Sequence, residues 1–120
     1  MKGHVIFVLS TKVVGNPRGS PPKLRRLTAE ERKRAYVATL AHVSQVLRGH
    51  RQPEIERIGL TRIGPRELDG DNVLKGLKAT RDGVADGLGY KSDAGLPWVY
   101  LPQEKGPYGV RVEIFYKEPE

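Results

Sequence analysis

The sequence contains no cysteine, which excludes a disulfide framework and any metal site built from thiolates. It also has no apolar run near the length of about 18 residues that a helix needs to cross a bilayer. The N-terminus lacks the charged segment, apolar segment and cleavage site of an export signal. We therefore expect a cytoplasmic protein without a membrane partner.

Histidine is also scarce, and the three histidines have no spacing that would build a zinc site. His4, His42 and His50 are predicted to be structural or surface residues. An EF-hand calcium loop is excluded because Val73 and Leu74 stand where that loop needs an oxygen ligand and a glycine. A nucleotide-binding P-loop is excluded because the chain has no Gly-Lys-Ser/Thr sequence.

Length and charge define the broad class of protein. The 120 residues, 38% of them hydrophobic, predict one domain over 1–120 with one core. The net charge of +7 is uneven: 14 lysines and arginines stand against 5 acids before Asp69, and 7 against 9 from Asp69 onward. Basic surface for phosphates and a confined acidic cluster for a cation are expected of a protein that acts on nucleic acid. A ribosome-associated or transcription-factor domain, or any soluble basic protein, would be equally basic.

The N-terminal part predicts a strand, a loop and a helix. The apolar run at 5–9 is predicted to be a strand inside the sheet, covered on both faces. Residues 10–27 combine glycine, proline and cations, which predicts a mobile basic loop. A capping-box pattern at 28–31 predicts the start of a helix that ends at Gly49. Its apolar stripe is Tyr36, Leu40, Val43 and Leu47.

The C-terminal part predicts three strands, at 55–63, 96–101 and 110–116, with the last two joined as a hairpin by the loop at 102–109. A helix is predicted from Asn72 to the glycines at 87–89, capped by Asp71 or Asn72. Its apolar positions are Val73, Leu77, Val84 and Leu88. The element order predicts an α+β fold of two layers, β-α-β-α-β-β, in which two helices pack on a mixed four-stranded sheet.

The acidic stretch at 68–75 is the main candidate site. Asp69 and Asp71 point the same way if the backbone there is extended, so both carboxylates can share one ion. Lys75 lies one turn beyond Asp71 if a helix starts at Asn72, which would put a cation beside the acids. Carboxylates at this spacing suit Mg²⁺ or Mn²⁺ together with the phosphate of a nucleic acid. Helix capping is the plainer interpretation, and spacing alone slightly favours it.

A family resemblance bears on that choice. Asp69 to Lys75 reads Asp-Gly-Asp-Asn-Val-Leu-Lys, and it is followed by Asp82, Val84 and Asp93. This run resembles the Asp-x-Asp-Asn-x-x-Lys signature of the RusA family of Holliday junction resolvases. The similarity extends to the element order on both sides and to the alternating strand at 110–114. Two features depart from the family: its Pro-Pro-Ser-x-Asn pattern after the first strand is missing, and Ser92 replaces one of the paired acids expected at the third carboxylate.

The resemblance implies a homodimeric, Mg²⁺-dependent endonuclease, bacterial or phage-encoded, that binds four-way DNA junctions and nicks two strands symmetrically, with no small-molecule substrate. The resemblance also implies that Mn²⁺ can replace Mg²⁺ as the cofactor. The resemblance implies that Asp69, Asp71 and Asp93 are catalytic metal ligands and that Lys75 is the catalytic lysine. The candidate DNA-binding residues are Arg18, Lys23, Arg25, Arg26, Arg32, Lys33, Arg34 and the motif asparagine Asn72. The alternatives are a nuclease for flap or other branched DNA and a non-catalytic DNA-binding module of the same fold.

Overall fold

The structure is a computed structural model that describes residues 2–11, 22–47 and 54–117, without the side chains of 2, 22–28 and 44–47. The predicted α+β class is confirmed, because the helices pack on a mixed sheet. The elements in chain order are β1 (Lys2–Leu9), α1 (Pro22–Leu47), β2 (Glu54–Gly64), α2 (Gly70–Gly76), α3 (Lys78–Gly87), β3 (Trp98–Tyr100), β4 (Glu104–Lys105) and β5 (Gly109–Lys117). None of the helices in these described ranges is long and apolar enough to cross a membrane.

The sheet has the strand order β1-β5-β2-β3, with the two-residue β4 also paired to β2. β5 runs antiparallel to both β1 and β2, whereas β3 and β4 run parallel to β2. The alternation predicted for the last strand is confirmed, since Val110, Val112, Ile114 and Tyr116 are at most 1% exposed. Their partners on the same face are Val5, Phe7, Leu9, Ile58 and Leu60. This face carries the core on which the helices pack.

The first strand is not buried on both faces, so the prediction that it lies inside the sheet is wrong. Among the described residues, β1 pairs only with β5 and forms an edge of the sheet. Ile6 and Val8 are 52% and 57% exposed, although Val5, Phe7 and Leu9 are buried. Successive side chains of a strand point to opposite faces, and in the described chain the helices cover one face. An unbroken apolar run does not by itself distinguish a central strand from an edge strand.

The predicted C-terminal hairpin is also wrong. β3 pairs with β2 on the side away from β5, so β3 and β5 flank β2 and are not neighbours. After β3 the chain continues along β2, where Ile63 pairs with Glu104, and then turns around the end of β2 into β5. The two prolines and two glycines at 102–109 correctly indicate a change of direction, but turn residues do not specify which strand the following strand will pair with.

Helix α1 begins earlier than the capping-box pattern predicts. It starts at Pro22, so residues 22–27 belong to the helix and not to the predicted basic loop. Proline is favoured at a first helical position because its φ is already helical and the helix needs no N–H there. The buried positions are Ala35, Thr39 and Val43, whereas Tyr36 and Leu40 of the predicted stripe are each 39% exposed. Small residues therefore form most of the buried face.

Small residues on the buried face let α1 and α3 approach closely. A Cβ at Gly83 would collide with the Arg32 carbonyl oxygen, and a Cβ at Gly87 would lie 2.6 Å from the Thr39 Cβ. The predicted apolar positions Val73, Leu77, Val84 and Leu88 are all buried, as expected. The single predicted helix is, however, two helices, because Leu77 is a turn residue between α2 and α3.

Candidate metal and nucleic-acid site

The acidic motif lies where β2 has ended and α2 begins. Asp69 is the N-cap residue of α2 and is extended, with φ −61° and ψ 149°. Asp71 is already in the first helical turn, so the premise of an extended backbone through both acids is wrong. The helix starts before Asn72 because the Val73 N–H donates to the Asp69 carbonyl at 3.0 Å, and burial of Val73 anchors that turn.

The carboxylates of Asp69 and Asp71 are both exposed. Helix capping by Asp71 or Asn72 is wrong as an account of this motif, because the N-cap is Asp69 and its side chain makes no capping hydrogen bond. Within residues 2–11, 22–47 and 54–117, no ion pair or hydrogen bond engages either carboxylate. Both groups are therefore available to a cation from solvent.

Lys75 lies in the last turn of α2, four residues after Asp71 and on the same helix, as predicted. Its side chain is exposed and has no ion-pair partner in the described part of the chain. Asn72, in the first turn, is half-buried. The motif therefore presents two free carboxylates and one free ammonium from a single short helix and its N-cap.

Asp93 is in a different situation, because two cations of α3 hold its carboxylate. The Lys78 Nζ lies 2.7 Å from Asp93 Oδ1, and the Arg81 Nε donates to Oδ2 at 3.2 Å. The Asp93 side chain is 15% exposed. The hydrogen bond from Lys78, and then that from Arg81, hold the pKa of Asp93 below its usual range against the opposing effect of burial. The Trp98 Nε1 also donates to the Asp93 carbonyl at 2.8 Å, which fixes the loop that carries this residue.

Arg81 connects the two parts of the candidate site. Its Nη1 donates to the Leu74 carbonyl at 2.8 Å, while its Nε holds Asp93. Lys78 also lies 3.0 Å from Asp82. Among the described residues, which include all three predicted ligands, no three acidic, histidine or cysteine side chains converge closely enough to hold a metal ion. The structure therefore leaves Asp93 with the α3 cations and apart from Asp69 and Asp71.

Gln103 and Arg62, which no sequence motif marks, fix the backbone before Asp69. The Gln103 side-chain amide pairs with Leu68, accepting from its N–H at 3.0 Å and donating to its carbonyl at 2.7 Å. The Arg62 guanidinium donates to Gln103 Oε1 at 3.2 Å and to the Arg66 carbonyl. A lone glutamine and an arginine at a strand end carry no motif, so only the tertiary structure identifies them.

The predicted DNA-binding residues differ in whether they form ion pairs and in whether the structure describes them. Arg32 makes a bidentate ion pair with Asp86: its Nε donates to Oδ2 at 2.9 Å and its Nη2 donates to Oδ1 at 3.2 Å. This pair raises the pKa of Arg32. Lys33 and Arg34 are exposed on α1 without an ion-pair partner in the described chain. Because α1 starts at Pro22, these cations lie within the helix and not at its N-terminus. Arg18 and the side chains of Lys23, Arg25 and Arg26 lie outside the described residues.

Two grooves open on the helical side. One, of about 420 Å³, runs along α1 beside Lys33, Arg34 and Val37. The other, of about 440 Å³, lies between α1 and the segment after α3, where Tyr36 and Tyr90 line it. Neither groove is lined by Asp69, Asp71 or Asp93. Asp69 and Asp71 are themselves exposed, which suits an extended substrate better than an enclosed small molecule.

No protein-family model matches the chain, and no curated protein matches it. Among solved structures it is similar to thiamine-monophosphate kinase from Stenotrophomonas maltophilia K279a, at 12% identity and a TM-score of 0.41. The alignment covers 96% of this chain and 31% of that chain, so it spans about a third of the kinase. A likeness at this TM-score carries no argument about fold or function.

Proposed function

We propose that the protein is a Mg²⁺-dependent endodeoxyribonuclease that binds four-way DNA junctions as a homodimer and resolves them by paired nicks. The observation that carries the proposal is the pair of exposed carboxylates, Asp69 and Asp71, at the start of α2, with no capping or ion-pair role in the described chain. Exposed acids without a structural partner at a helix start can take a cation from solvent without breaking a contact of the fold. The resemblance of 69–75 to the RusA signature supports DNA as the substrate.

The chemistry of the residues fits a hard divalent cation. Mg²⁺ is commonly held by one or two carboxylates plus water and the substrate's own phosphate oxygens, and Asp69 and Asp71 supply such a pair. A bound Mg²⁺ would activate the attacking water and neutralise charge on the scissile phosphate. Lys75, free and on the same helix, stabilises the negative charge that develops on the phosphate oxygens. Asp93 joins the ligand set only if it exchanges Lys78 and Arg81 for the cation.

DNA contact is assigned to the free cations of α1. Lys33 and Arg34 are exposed, and neither makes an ion pair in the described ranges, so they can neutralise backbone phosphates. The Arg34 charge also acts on Glu31, where it opposes the rise that burial causes in the pKa of that acid. Arg32 is a weaker candidate because its guanidinium already binds Asp86. A C₂ dimer would present two such surfaces to a junction that itself has approximate two-fold symmetry, which accounts for paired nicks.

The decisive experiment compares the wild-type protein with Asp71→Asn on a synthetic four-way junction in Mg²⁺. We expect cleavage to fall by at least about 100-fold, the magnitude typical for loss of an essential electrostatic group. Junction binding in a gel shift without Mg²⁺ should be unchanged, because the basic surface is intact. Glu113→Gln is a matched control, since this acid lies on β5, away from the motif.

The same assay separates the alternatives. Faster cutting of flaps than of junctions would reassign the substrate to other branched DNA, and binding with no Mg²⁺-dependent product from the wild type would favour a non-catalytic DNA-binding module. Undiminished cleavage by Asp71→Asn, with Mg²⁺ required, would remove the motif from the active site.

A further inference from the structure

The backbone just before Asp69 is held by a side chain from the segment that pairs with the C-terminal end of β2. Leu68 belongs to no helix or strand, yet its N–H and its carbonyl both bond to the Gln103 amide, at 3.0 and 2.7 Å. Gln103 therefore acts as a neighbouring strand would, since it satisfies both polar groups of one residue. Because Asp69 is the next residue, this pairing restricts the direction in which its carboxylate can point.

The orientation of the Gln103 amide is set by Arg62. A guanidinium has only donors, so the atom of Gln103 that faces the Arg62 Nη1, at 3.2 Å, must be the carbonyl oxygen. That assignment leaves the Gln103 NH₂ group for the Leu68 carbonyl, as the hydrogen bonds require. A flipped amide would set NH₂ against guanidinium and carbonyl against carbonyl. Arg62 therefore selects the one orientation that can hold Leu68.

Arg62 is an unusual residue for a purely structural task. It is 3% exposed, its Nε has no hydrogen-bond partner, and it has no ion pair with an acid in the part of the chain that the structure describes. Gly64 leaves room for it, because a Cβ there would lie 2.6 Å from the Arg62 Nη2. Burying a charge without a paired acid costs stability. We attribute the retention of this buried charge beside the acidic motif to the groups that Arg62 holds in place, the Gln103 amide and the Arg66 carbonyl.

We propose that Gln103 and Arg62 are positioning residues that orient the Asp69 carboxylate for its divalent cation. The inference rests on the proposed function, because it requires Asp69 to be a metal ligand. Partners that orient a metal ligand typically raise the metal affinity by about 10- to 100-fold. Gln103 acts on Asp69 through the Leu68 backbone, and Arg62 acts through Gln103.

The test measures Mn²⁺ binding by the full chain, by electron paramagnetic resonance, without DNA and independently of cleavage. Gln103→Met removes both bonds to Leu68 and should raise the Mn²⁺ dissociation constant about 10-fold. Arg62→Met, which keeps Gln103 but frees its orientation, should raise it by a smaller factor. Glu104→Gln is the matched control: it breaks the neighbouring surface pair with Arg111, at 2.6 and 2.8 Å, and should leave Mn²⁺ binding unchanged within about twofold.

Junction binding in a gel shift without metal should be the same for all these variants, which distinguishes a positioning role from a general loss of structure. Amide hydrogen exchange on the wild type tests the contact itself, and the Leu68 N–H should be protected. Unchanged Mn²⁺ affinity in Gln103→Met and Arg62→Met, an equal loss in Glu104→Gln, or rapid exchange at Leu68 would each overturn the inference. If the wild type binds no Mn²⁺ at all, the proposed function fails with it.

Discussion

The acids of the candidate site fall into two groups with opposite surroundings. Asp69 and Asp71 are exposed, and no ion pair or hydrogen bond in the described chain engages them. Asp93 is 15% exposed and binds the Lys78 ammonium and the Arg81 guanidinium. Aspartate thus has two different roles within one segment of 25 residues, from Asp69 to Asp93. The free pair is available for a ligand, whereas the paired acid stabilises the fold and would have to give up its partners to bind one.

The largest stability effect is expected from Arg81→Met. Its side chain is only 14% exposed, and its removal leaves the Leu74 carbonyl and one oxygen of Asp93 without their donor. Charge-assisted bonds of this kind each contribute about 1.5–3 kcal/mol, so the loss of two should lower the free energy of unfolding by at least about 3 kcal/mol. Urea denaturation measures it. The matched control Lys75→Met should change the free energy of unfolding little. An equal loss in the two variants would contradict the distinction between the paired Arg81 and the unpaired Lys75.

A smaller loss, about 1–2 kcal/mol, is expected from Asp93→Asn, because the amide can accept hydrogen bonds from Lys78 and Arg81 but carries no charge. Asp71→Asn should leave the free energy of unfolding nearly unchanged, since its carboxylate has no partner to lose in the described residues. Thermal and urea unfolding of the two variants measure the difference between their free energies of unfolding. Comparable destabilisation by both would show that Asp71 is also a structural acid.

The contribution of Asp93 should depend on pH in a defined direction. Lys78 and Arg81 lower its pKa in the folded state, so its stabilisation is complete above the unfolded pKa of about 3.9 and is lost as the pH falls through the folded value. The wild type should therefore keep a constant advantage over Asp93→Asn between about pH 5 and 7, and lose it below about pH 4. Urea midpoints at several pH values measure this. A constant difference down to pH 3 would contradict the paired state.

Among the three residues that form the Asp93 ion pairs, the smallest effect is expected from Lys78→Met. The Lys78 side chain is 54% exposed, so solvent and salt screen its pairs with Asp82 and Asp93. Exposed pairs typically contribute about 0–1 kcal/mol. We expect a loss near the low end of that range, which should shrink further in 0.5 M salt. A loss as large as that of Arg81→Met would mean that Lys78, and not Arg81, holds Asp93.

Regular periodicity made part of this structure predictable. The alternating β5 and the four buried apolar positions from Val73 to Leu88 follow from side-chain direction alone, because each is a local property of its segment. The partner of β3, the edge position of β1 and the ion pairs of Asp93 depend on segments far apart in sequence. No local pattern records them. The start of α1 was missed because Pro22 marks a helix beginning only if the residues after it are helical.

The two acids of the motif were found from sequence because only Gly70 separates them. The residues that hold the backbone before Asp69 were not found in this way. Gln103 reaches Leu68 across 35 positions, and Arg62 is a strand residue whose burial depends on its packing. Family resemblance selected Asp93 as the third ligand. It carried no information on Lys78 and Arg81, whose contacts with Asp93 are the main difference between the predicted site and the structure.

The most direct test of the proposed site is a crystal structure of the protein with Mn²⁺, read from its anomalous signal. We predict one peak within about 2.0–2.3 Å of oxygens from both Asp69 and Asp71, the distance expected for a small hard cation. Whether Asp93 has left Lys78 and Arg81 in that structure would tell if it joins the ligand set. No peak at Asp69 and Asp71 at millimolar Mn²⁺, or a peak elsewhere with both carboxylates still free, would contradict the claim that these acids form a cation site.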